Sequence, residues 1–221
     1  LHGAPAGGAV NAPVPSGPDA ERILPFVDVA YRLGRFYPQY ARPARLPAFT
    51  IVLGGNLAGV PPEPLTRAFL SGLLQATTDR RVSVVNAGAV ARELGIAVDA
   101  RDDSGSSGYA ASLRLVADGT TITGTSIGGA PRIVELDGYE IDATPAGAMV
   151  LTQHRDVPGM IGRVGTILGD AQVNISTMQV SRNTVGGDAI MVLSTDRPAG
   201  EAALAALRAI PGIAGVRSVE V

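Results

Sequence analysis

The sequence predicts an α+β fold, in which a mixed α/β domain is followed by a small ferredoxin-like βαββαβ domain. Segments with apolar residues at helical spacing alternate with short strand-like segments, and turn pairs such as Asp118-Gly119 and Asp137-Gly138 separate neighbouring strands. Hydrophobic residues make up 46% of the chain and aromatic residues only 4%, so the core must consist mainly of Ala, Val, Ile and Leu.

The first domain is predicted over residues 19–143, after a segment (1–18) whose Gly, Ala and Pro content is typical of a linker. Asp19 is expected to cap a helix that ends near Tyr37, because Pro38 cannot donate the next helical hydrogen bond. A polar loop is expected over 102–108. The other predicted elements are strands at 49–53, 96–99, 109–117, 120–127 and 132–136, and helices at 65–76 and 86–94.

The second domain is predicted over residues 144–221. Its strands are expected at 148–153, 174–183, 188–195 and 216–221, and its helices at 158–169 and 199–209. Pro158 suits a first helical turn, because the N–H that proline lacks would be unpaired there. The order βαββαβ indicates a sandwich with two helices on one face of an antiparallel sheet.

Composition excludes several classes of function. The chain has no Cys, which rules out disulfides and thiolate metal sites, and its net charge of -2 without a basic block argues against a nucleic-acid groove. No apolar run approaches the roughly 20 residues that span a bilayer, and we expect a cytoplasmic protein without a membrane partner. No two of the 28 glycines are separated by one residue, so a dinucleotide loop of the Gly-x-Gly type is absent. The chain begins at Leu1, and we interpret it as part of a longer polypeptide.

A candidate binding site follows the first strand of the second domain. His154 and Asp156 lie at the end of that strand, and Asn174 begins the next one after the helix. We expect these ends to lie near each other at one edge of the sandwich. Asp156 can accept from an ammonium group, and backbone N–H groups near Gly159 and Met160 can face a carboxylate. The pattern therefore favours a small amino acid, whereas helix capping by Asp156 and a turn held by Asn174 are the ordinary alternatives.

A second candidate site combines Gly128-Gly129 with Arg132, because a Gly-rich turn beside an arginine can bind a small anion. Two turns and a solvated arginine would explain the same residues. A catalytic centre is not indicated, because His2 lies in the predicted linker and His154 is the only other histidine.

Several segments resemble parts of a known family. Asp156-Val157-Pro158-Gly159-Met160-Ile161-Gly162 with Val173-Asn174-Ile175 resembles an ACT domain, a small-molecule sensor attached to enzymes of amino-acid metabolism. Residues 124–129 (GTSIGG) and 131–138 (PRIVELDG) resemble the intervening domain of long-form D-3-phosphoglycerate dehydrogenases. The segments 9–13 and 24–26, with Leu33-Gly34, look like the exit from the catalytic half of that enzyme.

The resemblance implies the C-terminal regulatory region of an NAD-dependent dehydrogenase of serine synthesis, whose NAD and catalytic domains would precede Leu1. It implies that the fragment itself is not an enzyme and holds no cofactor or metal. L-serine would bind between the ACT domains of two subunits at His154, Asp156 and Asn174, so self-association is expected. In the intervening domain, Arg132 matches a basic position, whereas Glu140 and Thr144 depart from the basic pattern.

Two alternatives remain open. The β-type chain of L-serine dehydratase shares a Ser-Ile-Gly-Gly stretch and an ACT tail, although its N-terminal motif of serines and histidine is missing from residues 1–40. A purely structural dimerisation module would use the same fold with a vacant sensor site.

Overall fold

The structure is a computed structural model that describes residues 17–103 and 108–221, so most of the predicted linker and residues 104–107 of the predicted loop lie outside it. The described helices are α1 (Ala20–Ala41), α2 (Glu63–Thr77), α3 (Ala87–Glu93), α4 (Met160–Asp170) and α5 (Glu201–Arg208). The described strands are β1 (Phe49–Gly55), β2 (Val98–Asp103), β3 (Ala111–Ala117), β4 (Thr120–Ile127), β5 (Ala130–Leu136), β6 (Tyr139–Ala143), β7 (Ala148–Arg155), β8 (Ile175–Arg182), β9 (Asp188–Thr195) and β10 (Ile213–Glu220). The predicted α+β class is confirmed.

The first sheet has six strands in the order β2-β1-β3-β4-β5-β6, with only the β1–β2 pair parallel. Strands β3, β4, β5 and β6 follow one another in the chain and are connected by tight turns. The Asp118-Gly119 and Asp137-Gly138 pairs in these turns have the positive φ angles that hairpin turns require. Strand β6 was missing from the sequence prediction. It pairs with β5 and forms one edge of the sheet.

Helix α1 differs from its prediction, because it continues through Pro38 to Ala41. Tyr37 and Tyr40 are buried in the last two turns, and we attribute the extension to this packing, which offsets the hydrogen bond that Pro38 cannot make. Asp19 occupies the cap position, but its carboxylate pairs with Arg22 at 2.7 Å instead of capping the helix.

Helices α1 and α2 lie backbone to backbone at two glycines. A Cβ atom at Gly34 would lie 2.8 Å from the backbone nitrogen of Leu73, and one at Gly72 would lie 3.0 Å from the carbonyl carbon of Tyr31. Glycine at both positions therefore allows the two helices to pack at this distance.

The second sheet confirms the predicted βαββαβ order, with strands arranged β10-β7-β9-β8. Its two faces belong to different cores. Val150 on β7 packs with α4 and α5, whereas Met149 and Leu151, one residue away on either side, belong to the same core as α1 and the first sheet. The two predicted domains therefore share one apolar core across this second face.

The two edges of the second sheet differ in their surroundings. Along β10, Gln39 of α1 donates to the carbonyl of Glu220 and accepts from its N–H, both at 2.9 Å, much as a neighbouring strand would. Strand β8 forms the opposite edge and pairs only with β9 within the described residues. Thus α1 covers one edge of the sheet, while the outer side of β8 has no strand partner in this part of the chain.

Candidate functional site

The loop between β7 and α4 contains the predicted amino-acid site. Gly159 has φ 85°, which favours glycine, and the helix begins only at Met160, two residues later than predicted. The N–H of Met160 was expected to face a ligand carboxylate. It donates instead to the carbonyl of Val157, in a long hydrogen bond of 3.3 Å. The next N–H groups of α4 lie within its first turn, where an α-helix supplies no acceptor of its own.

Asp156 is held by the β8–β9 hairpin. Its N–H donates to the carbonyl of Gly187 at 2.8 Å, and its carboxylate accepts from the guanidinium of Arg182 at 2.8 Å. The Arg182 hydrogen bond holds the pKa of the Asp156 carboxyl below its ordinary value, so this group is ionised near neutral pH. The carboxylate accepts from Arg182 and from the N–H of Gly186 at 3.5 Å, and not from an N–H of α4, so the predicted alternative of helix capping by Asp156 is wrong.

His154 is buried under the helical face of the sheet and is only 3% exposed. Its Nδ1 lies 3.1 Å from the hydroxyl of Thr152. Burial lowers the pKa of the His154 imidazole, which is therefore neutral at pH 7. Contact between His154 and a ligand stays a prediction, and it would require access to a side chain that the single chain encloses.

Asn174 lies at the other end of the sheet, so the predicted convergence within one chain is wrong. Ile175 pairs with Thr195, which pairs with Ala148 at the start of β7, whereas Asp156 follows the end of β7. The seven residue steps of β7 correspond to about 23 Å. The error arose because α4 carries the chain back along the sheet, so that β7 and β8 run in the same direction.

Asn174 is exposed, and its backbone is tied to Asp196. The N–H of Asn174 donates to the Asp196 carboxylate at 2.9 Å, and the Asn174 carbonyl accepts from the N–H of Asp196 at 3.0 Å. These backbone bonds leave the Asn174 side chain available at the surface.

The predicted anion site places Gly128 and Gly129 in the β4–β5 turn, with φ angles of 59° and 84°. Arg132 lies on β5, where its Nε donates to Asp142 at 2.6 Å and its Nη1 donates to Thr144. The Arg132 hydrogen bond lowers the pKa of the Asp142 carboxyl. The arginine is therefore already paired with an anionic side chain, and binding of an external anion there stays a prediction.

Sequence reasoning missed Arg182, the partner of Asp156. A signal was present, because parallel strands in a split βαβ unit end at the same edge, and Arg182 ends β8 as Arg155 ends β7. Within residues 17–103 and 108–221, no three His, Asp or Glu side chains are placed to hold a metal ion. None of the helices described is both long enough and apolar enough to cross a membrane.

Comparison with known families assigns both parts of the chain. Residues 22–137, more than half of the sequence, match the D-3-phosphoglycerate dehydrogenase intervening domain, and residues 148–212 match the ACT domain. The chain belongs to the D-3-phosphoglycerate dehydrogenase family. The predicted resemblance is thus confirmed for both domains.

Named relatives in this dehydrogenase family agree with the assignment. D-3-phosphoglycerate dehydrogenase of Bacillus subtilis (strain 168) is 37% identical over 223 residues, covering 99% of this chain and 42% of the relative. The Synechocystis sp. enzyme is 38% identical over 226 residues, covering 100% of this chain and 41% of the relative. The Methanocaldococcus jannaschii enzyme is 31% identical over 220 residues, covering 98% and 42% respectively. The chain therefore spans about two-fifths of the length of these relatives.

Proposed function

We propose that this chain is the regulatory part of an NAD-dependent D-3-phosphoglycerate dehydrogenase and that it binds L-serine between the ACT domains of two copies. The observation that carries the proposal is the difference between the two edges of the ACT sheet. Gln39 of α1 already bonds to the β10 edge at Glu220, whereas β8 has no such neighbour among the described strands, so a second copy would extend the sheet along β8.

Pairing at the β8 edge would also bring the separated site residues together. In a two-fold arrangement the strands β8 of two copies run antiparallel, so the start of one lies beside the end of the other. The partner's Asn174 would then approach the Asp156 loop of the first copy. The separation of about 23 Å within one chain thus favours a site that is completed by a second copy.

The surface at this edge suits such an interface. Val157, Ile161 and Val180 are large apolar side chains that are each at least 40% exposed, and they lie on the loop, α4 and β8 that border the seam. Covering them with a second copy would remove apolar area from water, which favours association.

The chemistry at the seam suits an α-amino acid. The ionised Asp156 can accept from the ammonium group, and the N–H groups in the first turn of α4 can donate to the carboxylate. The amide of the partner's Asn174 can both donate and accept. Binding of the ammonium would share the Asp156 carboxylate with Arg182, which already lies 2.8 Å away.

Serine would bind one subunit arrangement more tightly than the others and would therefore increase the population of that arrangement. This difference in affinity for serine is the basis of feedback control. Coupling free energies of such sites are typically about 1–3 kcal/mol. For the whole protein, the proposal is that catalytic domains of the same polypeptide bind NAD and oxidise phosphoglycerate.

The test is calorimetric titration of L-serine into the chain, combined with sedimentation to measure its oligomeric state. Asn174→Ala should weaken serine binding by about 10- to 150-fold, because one hydrogen bond to a charged group contributes roughly 1.5–3 kcal/mol. Asn56→Ala is the matched control, since Asn56 lies in a turn after β1, in the other domain. A folded dimer that gives no heat with millimolar serine would contradict the proposal, as would Asn174→Ala protein that binds like wild type. The absence of heat would favour a purely structural dimerisation module.

A further inference from the structure

A polar cleft of about 140 Å³ lies between the two domains, on the side of the ACT sheet that faces α1. The end of α1, the start of β4 and the β5–β6 turn line it from the first domain, and β7 and β10 line it from the ACT domain. Its main polar lining residues are Tyr40, Thr120, Asp137, Gln153 and Arg217.

The cleft contains one cationic and one anionic side chain that do not pair with each other. Arg217 donates from Nε to the Tyr40 carbonyl at 2.9 Å and from Nη1 to the Val216 carbonyl at 3.2 Å, and no acidic side chain of the described residues lies within ion-pair distance of it. The carboxylate of Asp137 accepts from the Thr121 N–H at 2.9 Å and from the Tyr40 hydroxyl at 2.6 Å. Each charge therefore keeps hydrogen-bonding capacity for a further partner.

Tyr40 contacts both charged side chains. Arg217 contacts its main-chain oxygen and Asp137 contacts its hydroxyl, so one tyrosine residue lies along the cleft between them. The tyrosine is 5% exposed, and its hydroxyl also accepts from the Gln153 amide at 3.3 Å. Burial and the Asp137 hydrogen bond raise the pKa of the Tyr40 hydroxyl, which stays protonated and donates to the carboxylate.

Gly215 helps to keep the space open. It lies at an irregularity in the β10–β7 pairing, and a Cβ atom there would lie 3.2 Å from the side-chain oxygen of Gln153. A cavity of about 150 Å³ can hold a benzene molecule, so the volume of this cleft suits a molecule of the size of serine or alanine.

We infer that this cleft is a second binding site, distinct from the ACT–ACT seam, for a small zwitterionic amino acid. Its carboxylate would pair with Arg217 and its ammonium with Asp137, while the Gln153 amide and the Thr120 side chain are available to a polar side chain. The occupant would contact both domains of one chain, so it would bind a monomer as well as a dimer. The inference stands on the cleft alone and does not require serine at the seam.

The test is calorimetric titration with L-serine of the wild-type chain and of Asp137→Asn, Arg217→Gln and Asn174→Ala variants. Asparagine keeps the size of Asp137 and tolerates its φ of 50°, so the turn should be preserved. We expect Asp137→Asn and Arg217→Gln each to weaken one binding event at least tenfold, because each removes a charged hydrogen-bond partner. Thermal unfolding of each variant reports whether it is folded. L-phenylalanine, which is too large for the cleft, should give no such event.

The outcomes separate the two sites. If Asn174→Ala leaves one serine event intact and Arg217→Gln removes it, both sites exist. If Arg217→Gln abolishes serine binding while Asn174→Ala changes nothing, the cleft stands and the seam proposal fails. If folded Asp137→Asn and Arg217→Gln proteins bind serine with wild-type stoichiometry and affinity, the cleft holds only water and the inference is overturned.

Discussion

Replacing Gly34 by alanine should destabilise the chain, because α1 and α2 meet backbone to backbone at this residue. The new Cβ would lie 2.8 Å from the backbone nitrogen of Leu73 and 3.1 Å from the carbonyl carbon of Phe69. Backbone atoms cannot rotate away as a side chain can, so the helices must separate. Overpacking of this kind costs about 3 kcal/mol at the upper end of its usual range, and the better helix propensity of alanine offsets about 1 kcal/mol.

The expected net loss is therefore about 2 kcal/mol, which corresponds to a decrease in Tm of about 4–8 °C for a chain of this size. Urea unfolding followed by circular dichroism measures the free energy, and a thermal scan measures Tm. Gly169→Ala is the matched control, because a Cβ at Gly169 in α4 meets no atom within 4 Å and should leave stability equal or slightly higher. If Gly34→Ala protein is as stable as wild type with the same dependence on urea, the helices are not in backbone contact and the reasoning fails.

Three further predictions follow from the same contacts. Because burial lowers the pKa of His154, the unfolded chain binds more protons below about pH 6.5, so stability should fall as pH decreases from 7 towards 5; urea titrations should show a smaller slope for His154→Phe. Gln39→Ala should lower the free energy of unfolding by about 1–2 kcal/mol, because it removes the acceptor of the Glu220 N–H and leaves the Glu220 carbonyl only the longer Arg35 contact at 3.4 Å; equal stability would contradict the role of Gln39 at the β10 edge. In Arg182→Gln the depressed carboxyl pKa of Asp156 should rise towards its ordinary value of about 3.9, as measured by carbon NMR titration; an unchanged pKa would show that Arg182 is not its cause.

Local sequence signals predicted most elements of the fold. Strand β9 has the predicted bounds, because a hydrophobic run follows a glycine pair and ends at polar residues. The end of α1 was wrong because burial of Tyr37 and Tyr40 is a tertiary effect that the sequence around Pro38 does not show. Strand β6 was missed although its residues alternate between exposed and buried positions, because five residues between two turns give a weak signal.

The candidate site was predictable in its residue types but not in its arrangement. The acidic residue Asp156 lies where the sequence placed it, after the end of β7, whereas Pro158 and Gly159 form a turn before α4 and not its first helical turn. The distance between Asp156 and Asn174 depends on strand direction and register, which neither residue reveals alone. The ion pairs of Asp156 with Arg182 and of Arg132 with Asp142 likewise join residues on separate strands.

The apolar core shared by the two domains limits how this protein can be divided and how it can move. An excised fragment of residues 148–221 would present Met149, Leu151, Ile190, Val192 and Val219 to water, because all five pack in the core that α1 completes. Such a fragment should aggregate unless α1 accompanies it. For the same reason, the ACT sheet and α1 are joined by packed side chains and not by a flexible linker, so we expect any displacement of that sheet to displace α1 as well.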